Sequence, residues 1–233
     1  MIPKSRNTLV LALTIAYFAV AMAEIMAELF SYIPIIVVAK PLMPILLMIL
    51  YFTASDRRHI LFFVTMTLSV ITNVLFIPNT PEMLFYGIFA FLIHRIFMLY
   101  FTFRLTKITD FIPVAIATIP FLLVFFYLLA SSEVPEDTFA LMVVQNILIS
   151  ILGGLALSNY IMNDNKRNSW LLICGILFLA LQFVIFIEKY YLQDNSLLIF
   201  RPIAMSLNAF AFYTFYEFVL AIEKSDNNGF AHT

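Results

Sequence analysis

The residues of this chain that could perform chemistry are ionisable and amide side chains set within long apolar runs. Glu24 and Glu28 lie four residues apart and share one face of a helix, and paired carboxyl groups can divide proton donation from stabilisation of a positive charge. An ionisable group in hydrocarbon costs at least about 2.5 kcal/mol, so it normally faces a partner or a cavity. The other groups of this kind are Lys40, Asn73, His94, Arg95, Gln145, Asn146, Gln182, Glu188, Arg201, Asn208 and Glu217.

The elements that carry these groups are apolar enough to lie in a membrane. Of the 233 residues, 63% are hydrophobic and 12% are charged, and the mean hydropathy is +1.00. A soluble domain carries roughly 25% charged residues, so this composition excludes a cytosolic enzyme and a disordered protein. The net charge of −1 excludes a nucleic-acid partner. The chain is therefore predicted to be a polytopic membrane protein within a bilayer.

Polar clusters divide the chain into eight apolar runs, each near the roughly 20 residues that a helix needs to cross the bilayer. We predict an all-α bundle of eight transmembrane helices, forming a single transmembrane domain over residues 1–233, because the connections leave no room for a soluble domain. Barrel strands alternate apolar and polar residues, whereas residues 121–130 are apolar throughout. The predicted spans are about 8–29, 34–54, 59–77, 82–104, 111–131, 137–162, 169–190 and 197–222.

The distribution of basic residues predicts the orientation in the membrane. Cytoplasmic loops carry an excess of Lys and Arg, and nine of the thirteen basic residues fall at one side of the predicted bundle, which also holds both termini. Both termini are therefore predicted to be cytoplasmic. The basic residues of that side are Lys4, Arg6, Arg57, Arg58, Arg104, Lys107, Lys166, Arg167 and Lys224, and the acidic residues of the other side are Glu82, Glu133, Glu136, Asp137 and Asp194.

Most of the embedded polar groups are predicted to lie at a similar depth in the bilayer. With cytoplasmic termini, odd spans run outward and even spans run inward, so most of these groups fall in the outer half of the bilayer. His94, Arg95 and Asn208 fall near the middle, and Glu217 falls near the inner end of the last span. A shared polar cavity that opens toward the outer leaflet would explain this distribution.

Structural roles compete with the cavity interpretation. Lys40 can form a buried ion pair with Glu24 or Glu28 as readily as it can bind a ligand. Long charged side chains near helix ends can reach the interface, and embedded amides or histidines can hydrogen-bond between helices. Reaching the interface is the competing role for Glu28, Glu188, Lys189 and Arg201. Hydrogen bonding between helices is the competing role for Asn73, His94 and Gln182.

Several other chemistries are excluded by the sequence. One cysteine, Cys174, cannot form a disulfide framework or a thiolate zinc site. The three histidines, His59, His94 and His232, are too dispersed to converge on a metal, and no cofactor is expected. No G-x-S-x-G nucleophile motif occurs.

Motifs in four spans follow one family pattern. Residues 39–47, Ala-Lys-Pro-Leu-Met-Pro-Ile-Leu-Leu, open the second span, and residues 174–178 and 213–217 lie in the seventh and the last. The fourth span carries Gly87, Phe91, His94, Tyr100 and Phe101, with Phe97 at an aromatic position. In span number, length and motif order the chain resembles the YhhN-like family, which includes the lysoplasmalogenases.

This resemblance implies hydrolysis of the vinyl-ether bond of a lysoplasmalogen in a bacterial inner membrane, giving a fatty aldehyde and glycerophosphoethanolamine or glycerophosphocholine. Protonation of the β-carbon creates an oxocarbenium ion to which water adds. The site must therefore supply an acid, a negative charge and a positioned water. By resemblance the catalytic positions are Asn73, Gln182 and Glu217, and the substrate-binding residues are Lys40, His94, Tyr100, Glu24 and Glu28.

Three of these positions depart from the family pattern. Family members typically carry an Asp in the third span and another in the seventh, where this chain has Asn73 and Gln182. Amides neither donate a catalytic proton nor hold charge at neutral pH, and Glu217 stands where Gln is common. One hypothesis is a working hydrolase that uses Glu24, Glu28 or Glu217 as its acid. The other is a non-catalytic relative that binds a lipid or apolar ligand in the same cavity. The sequence specifies neither the head group nor the oligomeric state.

Overall fold

The computed structural model describes residues 4–78, 80–106, 108, 110–192 and 199–230, and the regular elements in these ranges are all helical. Eight α-helices follow one another, which confirms the predicted all-α class. Their bounds are α1 (Lys4–Leu29), α2 (Ile33–Ala54), α3 (Ile60–Leu75), α4 (Pro81–Leu105), α5 (Ile112–Ala130), α6 (Glu136–Met162), α7 (Lys166–Phe186), which a π-helical segment (Ile187–Tyr191) continues, and α8 (Phe200–Phe230). Lys107, Asp194, His232 and positions 197–198, which entered the predictions, lie outside the described residues.

Seven of these helices are long and apolar enough to cross a bilayer, so the chain is an integral membrane protein. The exception is α3, which has 16 residues, against the 19 of the predicted span 59–77. It ends at Leu75 because Pro78 disfavours helical backbone at Ile77. Large apolar side chains remain exposed on the outside of the bundle, for example Leu123 and Ile116, where acyl chains would contact them.

Short connections make most consecutive helices antiparallel neighbours, the exception being α4 and α5. α8 packs against α7, α1 and α2, which brings the first and last helices together, and α4 packs against α3 and α6. We call the end of the bundle at which α1 begins the proximal end. The distal end is the opposite one, at which α1, α3 and α5 end and α2, α4, α6 and α8 begin.

A buried carboxylate of α8 fastens the proximal end. The hydroxyl of Tyr51 donates to Glu223 Oε1 at 2.6 Å, and Ser55 Oγ donates to Glu223 Oε2 at 2.8 Å. The Tyr51 hydroxyl also accepts from the backbone N–H of His59 at 2.9 Å. These bonds hold the α2–α3 connection against α8 and so fix α2 relative to α8, and both helices line the site described below.

Alanine at Gly154 is expected to destabilise the bundle by about 1–3 kcal/mol. A Cβ at this position of α6 would lie 2.8 Å from the backbone N and Cα of Thr118 in α5, so the two helices would have to move apart. Thermal unfolding in detergent measures the loss. Ile161→Ala on the same helix is the control, because this side chain is 72% exposed and its truncation should cost within about 0.5 kcal/mol. Equal losses in the two variants would contradict close packing of α5 on α6.

Candidate functional site

A cavity of about 340 Å³ lies between the helices near the distal end. This volume falls in the range of small-molecule sites, roughly 300–1,000 Å³. Of the described residues, those that line the cavity belong to every helix except α5, and most of its wall is apolar. Four of the eight predicted site residues line it, namely Glu28, Lys40, Asn73 and Gln182.

Two ion pairs lie in the cavity wall. Lys40 Nζ lies 2.6 Å from Glu28 Oε1, and the two side chains are 14% and 5% exposed. Arg201 Nε donates to Glu188 Oε1 at 3.1 Å. Of the two partners predicted for Lys40, the structure thus pairs it with Glu28. Each pair places a carboxylate beside a cavity that is otherwise mainly hydrocarbon.

The π-helical segment Ile187–Tyr191 carries Glu188 into the wall. A π turn holds an extra residue, so it rotates the side chains that follow it, and such turns are frequent at functional sites. Lys189 also lines the cavity, and its Nζ lies 5.6 Å from the centroid of the Phe76 ring. The sequence spacing carries no signal for this turn. Glu188 was therefore interpreted as a residue that reaches the membrane interface, but in the structure its side chain is only 10% exposed.

Asn73 completes the hydrogen bonding of a turn of α2 that proline interrupts. Pro44 has no N–H, so the carbonyl of Lys40, four residues earlier, lacks its helical donor. The side-chain Nδ2 of Asn73 donates to this carbonyl at 2.9 Å. An ionised aspartate, the residue that the resemblance implies for other family members at this position, has no donor for this bond.

Asn73→Asp is expected to lower the free energy of unfolding by about 1–3 kcal/mol, because the Lys40 carbonyl loses its donor and faces a carboxylate instead. Chemical or thermal unfolding in detergent measures this change. The matched comparison is the same substitution in a Pro44→Ala background, where a backbone N–H is restored to α2 and the loss should fall by roughly half or more. An identical loss in both backgrounds would show that Asn73 does not act through the Lys40 carbonyl.

A second polar network lies near the middle of the bundle. Arg95 Nη2 donates to Gln182 Oε1 at 3.1 Å, and Gln182 Nε2 donates to Asn146 Oδ1 at 3.3 Å. The guanidinium carbon lies 4.5 Å from the centroid of Phe91 and 5.7 Å from that of Phe178. Gln182 is thus both part of the cavity wall and the hydrogen-bond partner of a buried cation. We call the part of the wall formed by Phe91, Gln182 and Phe212 the deep wall.

His94 lies directly behind the deep wall and does not line the cavity. Its ring stacks on Phe91 with the centroids 5.7 Å apart and meets Phe212 edge-on at 5.5 Å. The side chain is fully buried, and neither ring nitrogen has a hydrogen-bond partner among the described residues. The interhelical hydrogen bond considered for His94 is therefore absent from the part of the chain that the structure describes.

Three other predicted site residues also lie outside the lining. Glu24 is fully buried, and its carboxyl oxygens have no hydrogen-bond partner within the described ranges. Glu217 accepts a hydrogen bond from the Tyr213 hydroxyl at 3.2 Å, on the proximal half of α8. Tyr100 is 51% exposed on the outer surface of α4. The site proposed below therefore leaves out Glu24, Glu217 and Tyr100.

Comparison with known proteins gives a match to a protein family but to no individual protein. A family model described as the YhhN family matches residues 35–217. No curated protein and no solved structure matches the chain. The matched range contains Lys40, Asn73 and Gln182, and it begins after Glu24 and Glu28.

Proposed function

This chain belongs to the YhhN family, and on that basis we propose that it is a membrane-embedded hydrolase of the lysoplasmalogenase type. In this proposal the distal cavity binds a single-chain ether lysophospholipid and water cleaves its vinyl-ether bond. The products are a fatty aldehyde and glycerophosphoethanolamine or glycerophosphocholine. An amphiphile of this kind is already dissolved in the bilayer, so a cavity between transmembrane helices is within its reach.

The observation that carries the proposal is the pair of carboxylates, Glu28 and Glu188, in the wall of a mainly apolar cavity. Cleavage of a vinyl ether needs a proton donor and a negative charge beside the cation that forms. Electrostatic stabilisation is strongest where water is excluded. Each carboxylate has a cationic partner, Lys40 for Glu28 and Arg201 for Glu188, which makes the burial of its charge tolerable.

The proposed reaction has three steps. First, a proton carried by the Glu28–Lys40 pair is transferred to the β-carbon of the alkenyl chain. The π electrons of the double bond form the new carbon–hydrogen bond, and the oxocarbenium ion that results is stabilised by Glu188. Second, water adds to the α-carbon and returns a proton to the Glu28–Lys40 pair. Third, the hemiacetal collapses: the carbon–oxygen bond to glycerol breaks, the hydroxyl proton passes to the glycerol oxygen, and the aldehyde is released. One water is consumed and the protein is unchanged.

Aldehyde release from a purified substrate tests this proposal. The protein in nanodiscs is incubated with an alkenyl lysophosphatidylethanolamine, and the aldehyde is measured by coupled reduction. We expect continuous, protein-dependent release, and no release from the saturated alkyl-ether analogue, which has no double bond to protonate. A protein that binds the alkenyl lipid but releases no aldehyde would contradict the hydrolase proposal.

The second candidate function is lipid binding without catalysis, and the use of the two amides favours it. Asn73 and Gln182 occupy positions that the family pattern fills with Asp, and here each donates a side-chain N–H that an ionised carboxylate lacks. Saturable binding of the alkenyl lipid without turnover would support this function. Aldehyde release at many turnovers per protein would exclude it.

We further propose that both termini face the cytoplasm of a bacterial cell, so that the distal cavity faces the outer leaflet of its inner membrane. The excess of basic residues at the proximal end supports this orientation. Labelling with a membrane-impermeant maleimide tests it, because the native Cys174 is fully buried. Glu82→Cys at the distal end should label in spheroplasts, and Ser225→Cys at the proximal end only after lysis. The opposite pattern would reverse the orientation.

A further inference from the structure

Arg95 is a buried cation without a carboxylate partner in the described part of the chain. It is 1% exposed, and its hydrogen bond to Gln182 involves only Nη2. Its Nε and Nη1 have no hydrogen-bond partner among the described residues. The faces of Phe91 and Phe178 lie near the guanidinium, but ring faces satisfy its N–H groups poorly. A buried charge left uncompensated is strongly destabilising, so this arrangement calls for an anion.

Other unsatisfied nitrogen atoms belong to residues that contact the immediate neighbours of Arg95. The Nδ2 of Asn146 has no partner in the described ranges, and neither has either ring nitrogen of His94. The Oδ1 of Asn146 accepts a hydrogen bond from Gln182. The ring of His94 stacks on the ring of Phe91, and the guanidinium of Arg95 also lies near that ring. The unsatisfied atoms on Arg95 and Asn146 are all donors. Buried donors without acceptors commonly mark an ion or ligand that the site holds.

We propose that Arg95 and Asn146, with His94 beside them, form a binding site for the phosphate of a lysophospholipid, so that the lipid enters the cavity headgroup first. This inference rests on the proposed function for the identity of the lipid. Gln182 both lines the cavity and covers Arg95, so rotation of this one side chain gives a phosphate oxygen access to the guanidinium. Arg–phosphate hydrogen bonds are charge-assisted and strong.

The other cations of the cavity are less suited to this role. Lys40 and Arg201 are each already paired with a carboxylate. Lys189 Nζ lies 5.6 Å from the centroid of the Phe76 ring, and its charge interacts with the neighbouring Glu188 carboxylate. With the phosphate at the deep wall and one of its oxygens on Arg95, the glycerol backbone extends toward the distal end and brings the ether oxygen toward Glu28 and Glu188. The alkenyl chain then leaves the cavity into the bilayer, so its length has little effect on binding.

Binding of hexadecylphosphocholine, a single-chain phosphodiester without a vinyl ether, tests this site. Arg95→Met is the direct change. It removes the hydrogen-bond partner of Gln182 and the cation beside two aromatic rings, so this variant can fail to fold. Gln182→Glu is the decisive variant, because its carboxylate would pair with Arg95 from within and compete with the phosphate. We expect its Kd for hexadecylphosphocholine to rise roughly tenfold or more, with a melting temperature at or above that of the parent.

The matched control is Asn208→Asp, which adds one carboxylate to the same cavity from α8 and should change the Kd less than about threefold. The Kd for hexadecylglycerol, which lacks the phosphate, should be the same in Gln182→Glu as in the parent. Unchanged binding in Gln182→Glu, equal losses in both variants, or an equal loss for hexadecylglycerol would each overturn the site. Displacement of the lipid by inorganic phosphate at comparable concentration would overturn the assignment to a lipid headgroup.

The outcomes also separate this inference from the proposed hydrolase. If aldehyde release fails but Gln182→Glu selectively weakens hexadecylphosphocholine binding, the phosphate site stands without the hydrolysis. If aldehyde is released and Gln182→Glu leaves phosphocholine binding unchanged, the hydrolysis stands and the phosphate site is wrong.

Discussion

Glu28→Gln is expected to lower kcat for aldehyde release by roughly 10²–10⁴-fold, the usual contribution of a general acid. Glutamine keeps the size and shape of the side chain but removes the group that exchanges a proton with the substrate. Its carbonyl can still accept from Lys40, which lies 2.6 Å away in the parent, so the cavity should keep its shape. We expect KM for the alkenyl lipid to change far less than kcat, because the phosphate and chain contacts are untouched.

Glu82→Gln provides the matched control for this rate loss. It makes the same chemical change at the distal end, in the first turn of α4, outside the cavity lining. Its rate should stay within about twofold of the parent. A rate loss in Glu217→Gln with none in Glu28→Gln would place the proton donor in the proximal half of α8 and contradict the assignment to the distal cavity.

The fold was largely predictable because hydrocarbon imposes one strong rule on a chain of this length. Backbone polar groups in a bilayer must be satisfied internally, so a long apolar run becomes a helix. The depth of Lys40, Asn73 and Gln182 followed from the same reasoning, since polar side chains avoid lipid. The three residues line one cavity, although they belong to three different helices.

The pairing within the site was not predictable, because it depends on how each helix is rotated about its axis. Glu24 and Glu28 share a helix face in the sequence, yet only Glu28 reaches the cavity and meets Lys40. Glu188 turns toward Arg201 through a π-helical segment that has no sequence signature. Tyr100 lies on a helix that is apolar around most of its circumference, so no periodicity marked its outward face.

The acceptor of one interhelical hydrogen bond could have been predicted from local chemistry and was missed. Pro44 leaves the carbonyl of Lys40 without a helical donor, and an embedded amide is the natural group to satisfy it. Asn73 makes that bond. An interhelical hydrogen bond was one of the roles considered for Asn73, but the Lys40 carbonyl was not recognised from the sequence as its acceptor.

Lys40→Met is expected to destabilise the protein by about 3–5 kcal/mol, because it leaves the Glu28 carboxylate buried without its cation. The double variant Glu28→Leu/Lys40→Met should recover most of this loss, since replacing both members of a buried pair with apolar groups is often neutral or stabilising. Unfolding in detergent measures the four states of the cycle. Asp56→Ala provides the surface comparison: it breaks the pair with Arg6 from the side of Asp56, whose side chain is 70% exposed, and it should cost less than about 1 kcal/mol.

The double variant also separates stability from function. If it unfolds like the parent but releases no aldehyde, the Glu28–Lys40 pair is dispensable for folding, and its presence in the cavity reflects the reaction. If the double variant is as unstable as Lys40→Met alone, the two side chains do not compensate each other, and the pair is not the closed unit that the 2.6 Å contact indicates. If the double variant is stable and its turnover is unaltered, the proton must come from another group, and Glu188 is then the remaining carboxyl group among the described residues of the cavity wall.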